Sequence, residues 1–140
     1  MRIIDVGRAF PRHFYDQETL LAALKAHSGA RHRNPARLER LHRNVLVGGR
    51  HLALPLEDYP KLTDFGVAND AWIKVGLKVG EAAVRDAVAR ANVAWDRVGA
   101  IFAVSVTGVA TPSLEARIMN RIPELPRHLK RVPIFGLGCV

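Results

Sequence analysis

Residues 98–140 read VGAIFAVSVTGVATPSLEARIMNRIPELPRHLKRVPIFGLGCV. Two short apolar runs organise this stretch, Ala100-Ile101-Phe102-Ala103-Val104 and Val132-Pro133-Ile134-Phe135. Neither alternates apolar with polar residues, which is the pattern of strands buried on both faces. Between them Thr107-Gly108-Val109 predicts a turn. Pro112-Ser113 then opens a helix through Arg121, and Pro123 and Pro126 punctuate the return. Strand, helix and strand in this order predict an α/β layered domain. The second run leads into Gly136-Leu137-Gly138-Cys139-Val140, a turn of the kind that normally feeds a packed helix, and the sequence stops where that helix would begin.

Upstream, the strongest helical pattern runs from Asp70 to Ala91. Its Ala content and its glycines at 76 and 80 predict close packing against a flat surface such as a sheet. Asp16 is a good N-cap for a helix reaching about Ala26, and Asn34-Pro35 starts another that runs to about Val47 before Gly48-Gly49. His51 to Leu56 reads as extended and Glu57 to Phe65 as loop. Ile3, Ile4 and Val6 predict a strand over residues 2–10, closed by Pro11.

The chain has 140 residues, enough for one domain with a core, and 49% of them are hydrophobic, which argues against bulk disorder. A single Cys excludes a disulfide framework and fits a reducing, cytoplasmic setting. The first twelve residues lack the apolar stretch of a signal peptide. The longest uncharged run, Val98 to Leu114, is broken by Gly, Pro, Ser and Thr and makes a poor membrane span. No His or carboxylate spacing suits a metal. The formal charge is +8, and between His27 and His51 six Arg and four His face one acid, Glu39. Such a block attracts an anion: nucleic acid, an anionic membrane or a phosphorylated small molecule. With nine aromatic residues and no helix-turn-helix, nucleic acid is disfavoured.

Cys139 is open to two readings. It is a small apolar filler, or, between glycines at a sharp strand-to-helix turn, a nucleophile whose thiolate a helix N-terminus stabilises. The wording of the sequence bears on the choice. SVTGVATPSLEARIMNRI (105–122) followed by RVPIFGLGCV (131–140) resembles the type III polyketide synthases, the chalcone and stilbene synthase family. RLERLHRNVLVGGRHLALPLEDY (37–59) is similar to their N-terminal segment. GLGCV with TGVATPS looks most like the bacterial alkylpyrone and alkylresorcinol branch.

The resemblance covers nearly the whole chain. It implies that residues 1–140 are an N-terminal chalcone/stilbene synthase-like domain, part of a thiolase-like fold that is incomplete at the C-terminus. It implies that Cys139 carries the growing acyl group, with acyl-CoA and malonyl-CoA as substrates, no tightly bound cofactor and a homodimeric enzyme. Arg37 and Arg40 match two of the family's three basic residues for the CoA phosphates. The third position is Asn44, with Arg43 beside it, so that match is imperfect. Thr107 falls at the strand end that faces the family's acyl cavity and reads equally as a satisfied strand-end hydroxyl. Thr111 falls where some members place a Met that reaches into the neighbouring subunit's cavity, and reads also as a turn residue before Pro112. The family's catalytic His and Asn and its gatekeeper Phe belong to a later part. None of the six His here matches that motif, so the chain alone is expected to be inactive. Two other readings stay open. One is a single-step condensing enzyme of the β-ketoacyl-carrier-protein synthase III kind. The other is a non-catalytic truncated or half domain that needs a partner chain.

Overall fold

Residues 2–28 and 34–136 are described by the computed structural model. They fall into two compact units, Pro11–Asp64, and Met1–Phe10 with Phe65–Val140.

In Pro11–Asp64 an antiparallel ribbon pairs β1 (His13–Asp16) with β2 (Gly49–Leu52), in the register His13↔Leu52 and Asp16↔Gly49. Phe14 lies beside the His51 ring at a centroid distance of 5.1 Å. Asp16 caps α1 (Gln17–Ser28) as expected, its Oδ1 accepting the Thr19 N–H at 2.7 Å. Asn34 does the same for α2 (Pro35–Asn44), where its Oδ1 accepts the Arg37 N–H at 2.9 Å. The second helix ends before the glycines expected to stop it: Leu46 takes the left-handed conformation at φ 54°. Leu21 of α1 is buried. Lys25 of α1 and Glu39 of α2 form an ion pair at 2.9 Å. The extended stretch expected over 51–56 is shorter, and a 3-10 turn occupies Leu56–Lys61.

The other unit is built on α3 (Phe65–Ala91), which begins five residues before the expected Asp70. A parallel pair, β3 (Ala100–Ser105) and β4 (Lys130–Phe135), is connected through α4 (Leu114–Arg121). This is the strand–helix–strand order expected from the two apolar runs. The core consists of Ile118, Met119, Ile122, Leu125 and Leu129. Leu77 and Val84 of α3, Ile101 of β3 and Trp95 pack against it.

Two expectations need correction. The glycines of α3 serve a helix rather than a sheet: a β-carbon on Gly80 would come within 2.6 Å of Ile118 Cδ1 on α4. Residues 2–10 form no strand, and Ile3, Ile4 and Val6 stay exposed. Their β-branched side chains favour a strand only where a neighbouring strand is available to pair with. Here the segment is held on α3 instead. Gly7 lies directly against the backbone of Ala83 and Ala87, the Arg8 N–H donates to Asp86 Oδ2 at 2.8 Å, and Arg90 Nε donates to Asp5 Oδ1 at 3.1 Å. The strands are also less covered than their apolar runs imply. Phe102, Val104 and Phe135 remain exposed, because among the described residues helices pack on one face of the β3/β4 pair.

A charged network joins α3 to α4. Arg121 Nε donates to Glu81 Oε2 at 2.6 Å, and Arg85 donates to Glu81 Oε1 at 3.3 Å and to Glu124 Oε1 at 2.9 Å. The hydrogen bond from Arg121, aided by Arg85, holds the Glu81 carboxyl below the usual carboxylate range, and Arg85 does the same to Glu124. A carboxyl whose folded pKa lies below its unfolded value, about 4.3 for Glu, adds stability above that value and loses it as the pH falls through the folded one. The melting temperature should therefore drop between about pH 5 and pH 3. Glu81→Gln should make that drop shallower, with a small effect for a pair this exposed. An unchanged acid slope in Glu81→Gln would contradict the assignment.

Candidate active-site turn and anion-binding helix

β3 and β4 run parallel and end together, with Ser105 opposite Phe135. In open α/β sheets, ligands gather outside such carboxyl ends. The turn after β3 is fixed by polar contacts. Ser105 Oγ–H donates to the Gly108 carbonyl at 2.9 Å and accepts the Gly108 N–H at 3.4 Å. Asn69 of α3 clamps the next residue from both sides: its Oδ1 accepts the Val109 N–H at 2.9 Å and its Nδ2 donates to the Val109 carbonyl at 2.8 Å. Gly108 is buried with its Cα against the Trp72 indole, so a β-carbon there would overlap the ring. This is a physical reason for glycine after Thr107.

Thr107 and Thr111 are both exposed. The Thr111–Pro112 peptide is cis, and Arg117 donates to the carbonyls of Pro112 at 2.8 Å and Thr111 at 3.1 Å. Ser113 occupies the N-cap position of α4, and its hydroxyl donates to Glu115 Oε1 instead of capping the helix. Glu115 is almost wholly buried. Past β4, Gly136 donates its N–H to the Ser105 carbonyl at 3.1 Å and adopts φ 79°, where glycine has no steric cost. Cys139 follows three residues later and lies outside the described residues.

The residues expected to bind an anion are on α2, in the other unit. Arg37, Arg40 and Asn44 are all exposed. At about 100° per residue they share an arc of roughly 60°. Arg43 does not supplement them, because it pairs with Glu39 at 2.7 Å. Hydrogen bonding to Lys25, and then the charge of Arg43, hold the Glu39 carboxyl below its ordinary value. Among the described residues no acid pairs with Arg37 or Arg40, so both guanidinium forks are open to phosphate. Arg31, His32 and Arg33 of the basic block lie outside the described residues. No group of three His, Cys, Asp or Glu suited to a metal occurs among the described residues, and no described helix is long and apolar enough to cross a membrane.

Sequence reading missed the clamp from Asn69 and the supports from Ser105 and Arg117. The only signal for Asn69 was its place beside the expected helix start at Asp70, which gives no hint of a partner 40 residues away.

The parallel β3/β4 pair joined through α4 is the strand–helix–strand arrangement expected of a thiolase-like fold, and solved structures share it. A Streptomyces coelicolor tetrahydroxynaphthalene synthase structure, described by its authors as a bacterial type III polyketide synthase, superposes with TM-score 0.80 at 24% identity. That match covers 92% of this chain and 36% of that one. A polyketide synthase of the brown alga Ectocarpus siliculosus gives 0.80 at 20% identity, over 98% of this chain and 40% of that one. In sequence, the chain is 44% identical over 138 residues to the 1,3,6,8-tetrahydroxynaphthalene synthase of Streptomyces peucetius, covering 96% of this chain and 36% of that protein. It is 30% identical to the phloroglucinol synthase of Pseudomonas fluorescens, over 94% of this chain and 37% of that protein. No family model matches. The chain belongs with the type III polyketide synthases, as an N-terminal part of one. It spans just over a third of the length of these curated relatives.

Proposed function

We propose that the enzyme to which this chain contributes loads an acyl-CoA starter onto Cys139 and extends it with malonyl-CoA. The Cys139 thiolate attacks the thioester carbonyl and the CoA thiolate leaves. Malonyl-CoA then loses carbon dioxide, and the resulting carbanion attacks the Cys139 thioester. A carbon–carbon bond forms as the sulfur departs with its electron pair. Arg37 and Arg40, with Asn44 beside them, hold the CoA phosphates by bidentate contacts. Thr107 and Thr111 line the acyl cavity. The enzyme works as a homodimer in the cytoplasm, and both units of this chain belong to one N-terminal synthase domain.

The 44% identity across 96% of the chain carries this reading. It is supported by the open guanidinium groups on α2 and by the end of β4 at Phe135, four residues before Cys139 in the sequence. The product is a cyclised polyketide. The motif wording favours an alkylpyrone or alkylresorcinol, while the Streptomyces relatives favour a fused aromatic of the tetrahydroxynaphthalene kind.

Acyl-CoA and malonyl-CoA supplied to the complete enzyme should give a polyketide whose mass counts the extensions and whose ultraviolet spectrum distinguishes the two ring types. The 140-residue chain alone should release none, since losing even one oxyanion donor costs about 10²–10³ in rate. Product from the isolated chain, or one condensation without cyclisation from the complete enzyme, would overturn the proposal.

A further inference from the structure

We infer that the Pro11–Asp64 unit carries a separate binding site for an amphiphile with an apolar tail and a carboxylate head. A cavity of about 790 Å³ lies within this unit. Pockets of roughly 300–1,000 Å³ hold small organic ligands. Its walls are apolar and half-buried: Leu20, Ala23 and Leu24 from α1, Leu52 from β2, and Leu56 and Tyr59 from the 3-10 turn.

Three basic groups in the lining, His27, His42 and Arg50, suit the head. Gln17 Nε2 donates to the His42 carbonyl at 3.0 Å, which fixes the amide nitrogen towards His42. The same nitrogen lies 3.0 Å from His42 Nδ1, so Nδ1 is the acceptor. The imidazole proton then sits on Nε2, which has no hydrogen-bond partner among the described residues. Arg50, exposed at the margin, forms no ion pair among the described residues. Glu57, the one acid in the lining, is exposed, and the neighbouring Lys61 pairs with Asp58. A carboxylate at the His42 and Arg50 end with its alkyl chain along the leucines satisfies both surfaces. The site is distinct from the CoA-phosphate arginines, since Arg37, Arg40 and Asn44 lie roughly 140–160° around α2 from His42.

The test is titration of the 140-residue chain with hexanoate, octanoate and decanoate below their aggregation limits, followed by backbone amide NMR. Affinity should rise about fourfold per added methylene, with shifts centred on α1, β2 and residues 56–60. Arg50→Gln, at an exposed position, should weaken decanoate at least tenfold while changing decanol by less than about twofold. Ala23→Trp should block both ligands, and the Arg37→Gln/Arg40→Gln pair should change neither. Any of three results would overturn the site: no chain-length dependence, equal binding of decanol and decanoate, or shifts centred on Phe102 and Phe135. Failure of acyl transfer at Cys139 would leave these titrations unaltered, because every residue invoked lies in Pro11–Asp64.

Discussion

Ile122→Ala should destabilise the α3–β3–α4–β4 unit by about 2–5 kcal/mol, the usual range for truncating a buried isoleucine. Ile122 is fully buried, the most enclosed apolar side chain among the described residues. It closes α4, its N–H donating to the carbonyls of Ile118 and Met119, and it packs with Ile118, Met119, Leu125 and Leu129. That cluster joins α4 to α3 and to Ile101 of β3, so its loss loosens the support of the 106–113 turn as well. Domains of this size are typically stable by only about 5–15 kcal/mol, so the cost is a large share of the total. Both tryptophans, Trp72 and Trp95, lie in this unit, and their fluorescence in urea reports on it selectively. Ile3→Ala is the control: at 79% exposure it should shift stability by no more than about 0.5 kcal/mol. A loss below about 1 kcal/mol for Ile122→Ala would contradict the packing described.

Local pattern made the elements nearest the site legible. The apolar runs became β3 and β4, and Pro112-Ser113 and Asn34-Pro35 marked helix starts within a residue or two. What failed was long-range. Ile3, Ile4 and Val6 carry strand propensity, and nothing local reveals that residues 2–10 find α3 instead of a strand. The start of α3 was missed because Gly66 weakens the helical pattern there, whereas Asp70 is a good cap in isolation. Gly80 read as a sheet contact because close approach by either a sheet or a helix calls for a small residue. At the site, the order Thr107-Gly108, Pro112-Ser113, Cys139 was readable from the sequence. The Asn69 clamp was not, and neither was the pairing of Arg43 with Glu39 that leaves Arg37 and Arg40 as the open pair.

The other large effect belongs to Cys139. A thiolate is far more nucleophilic than a serine hydroxyl near neutral pH, and the thioester it forms is a good leaving group towards a carbanion. Cys139→Ser should therefore abolish acyl capture while leaving the urea transition of the Trp72/Trp95 unit in place. Cys139 is the sole cysteine in residues 1–140, so tandem mass spectrometry of the peptide that contains it assigns an adduct there without ambiguity. The decisive measurement is incubation of the complete enzyme with an acyl-CoA, quenching, digestion and mass analysis. A hydroxylamine-labile acyl group on the Cys139 peptide, missing from Cys139→Ser, is the predicted result. A product-forming enzyme whose Cys139 stays unacylated, or whose Cys139→Ser variant still captures the acyl chain, would show that this sulfur only fills space.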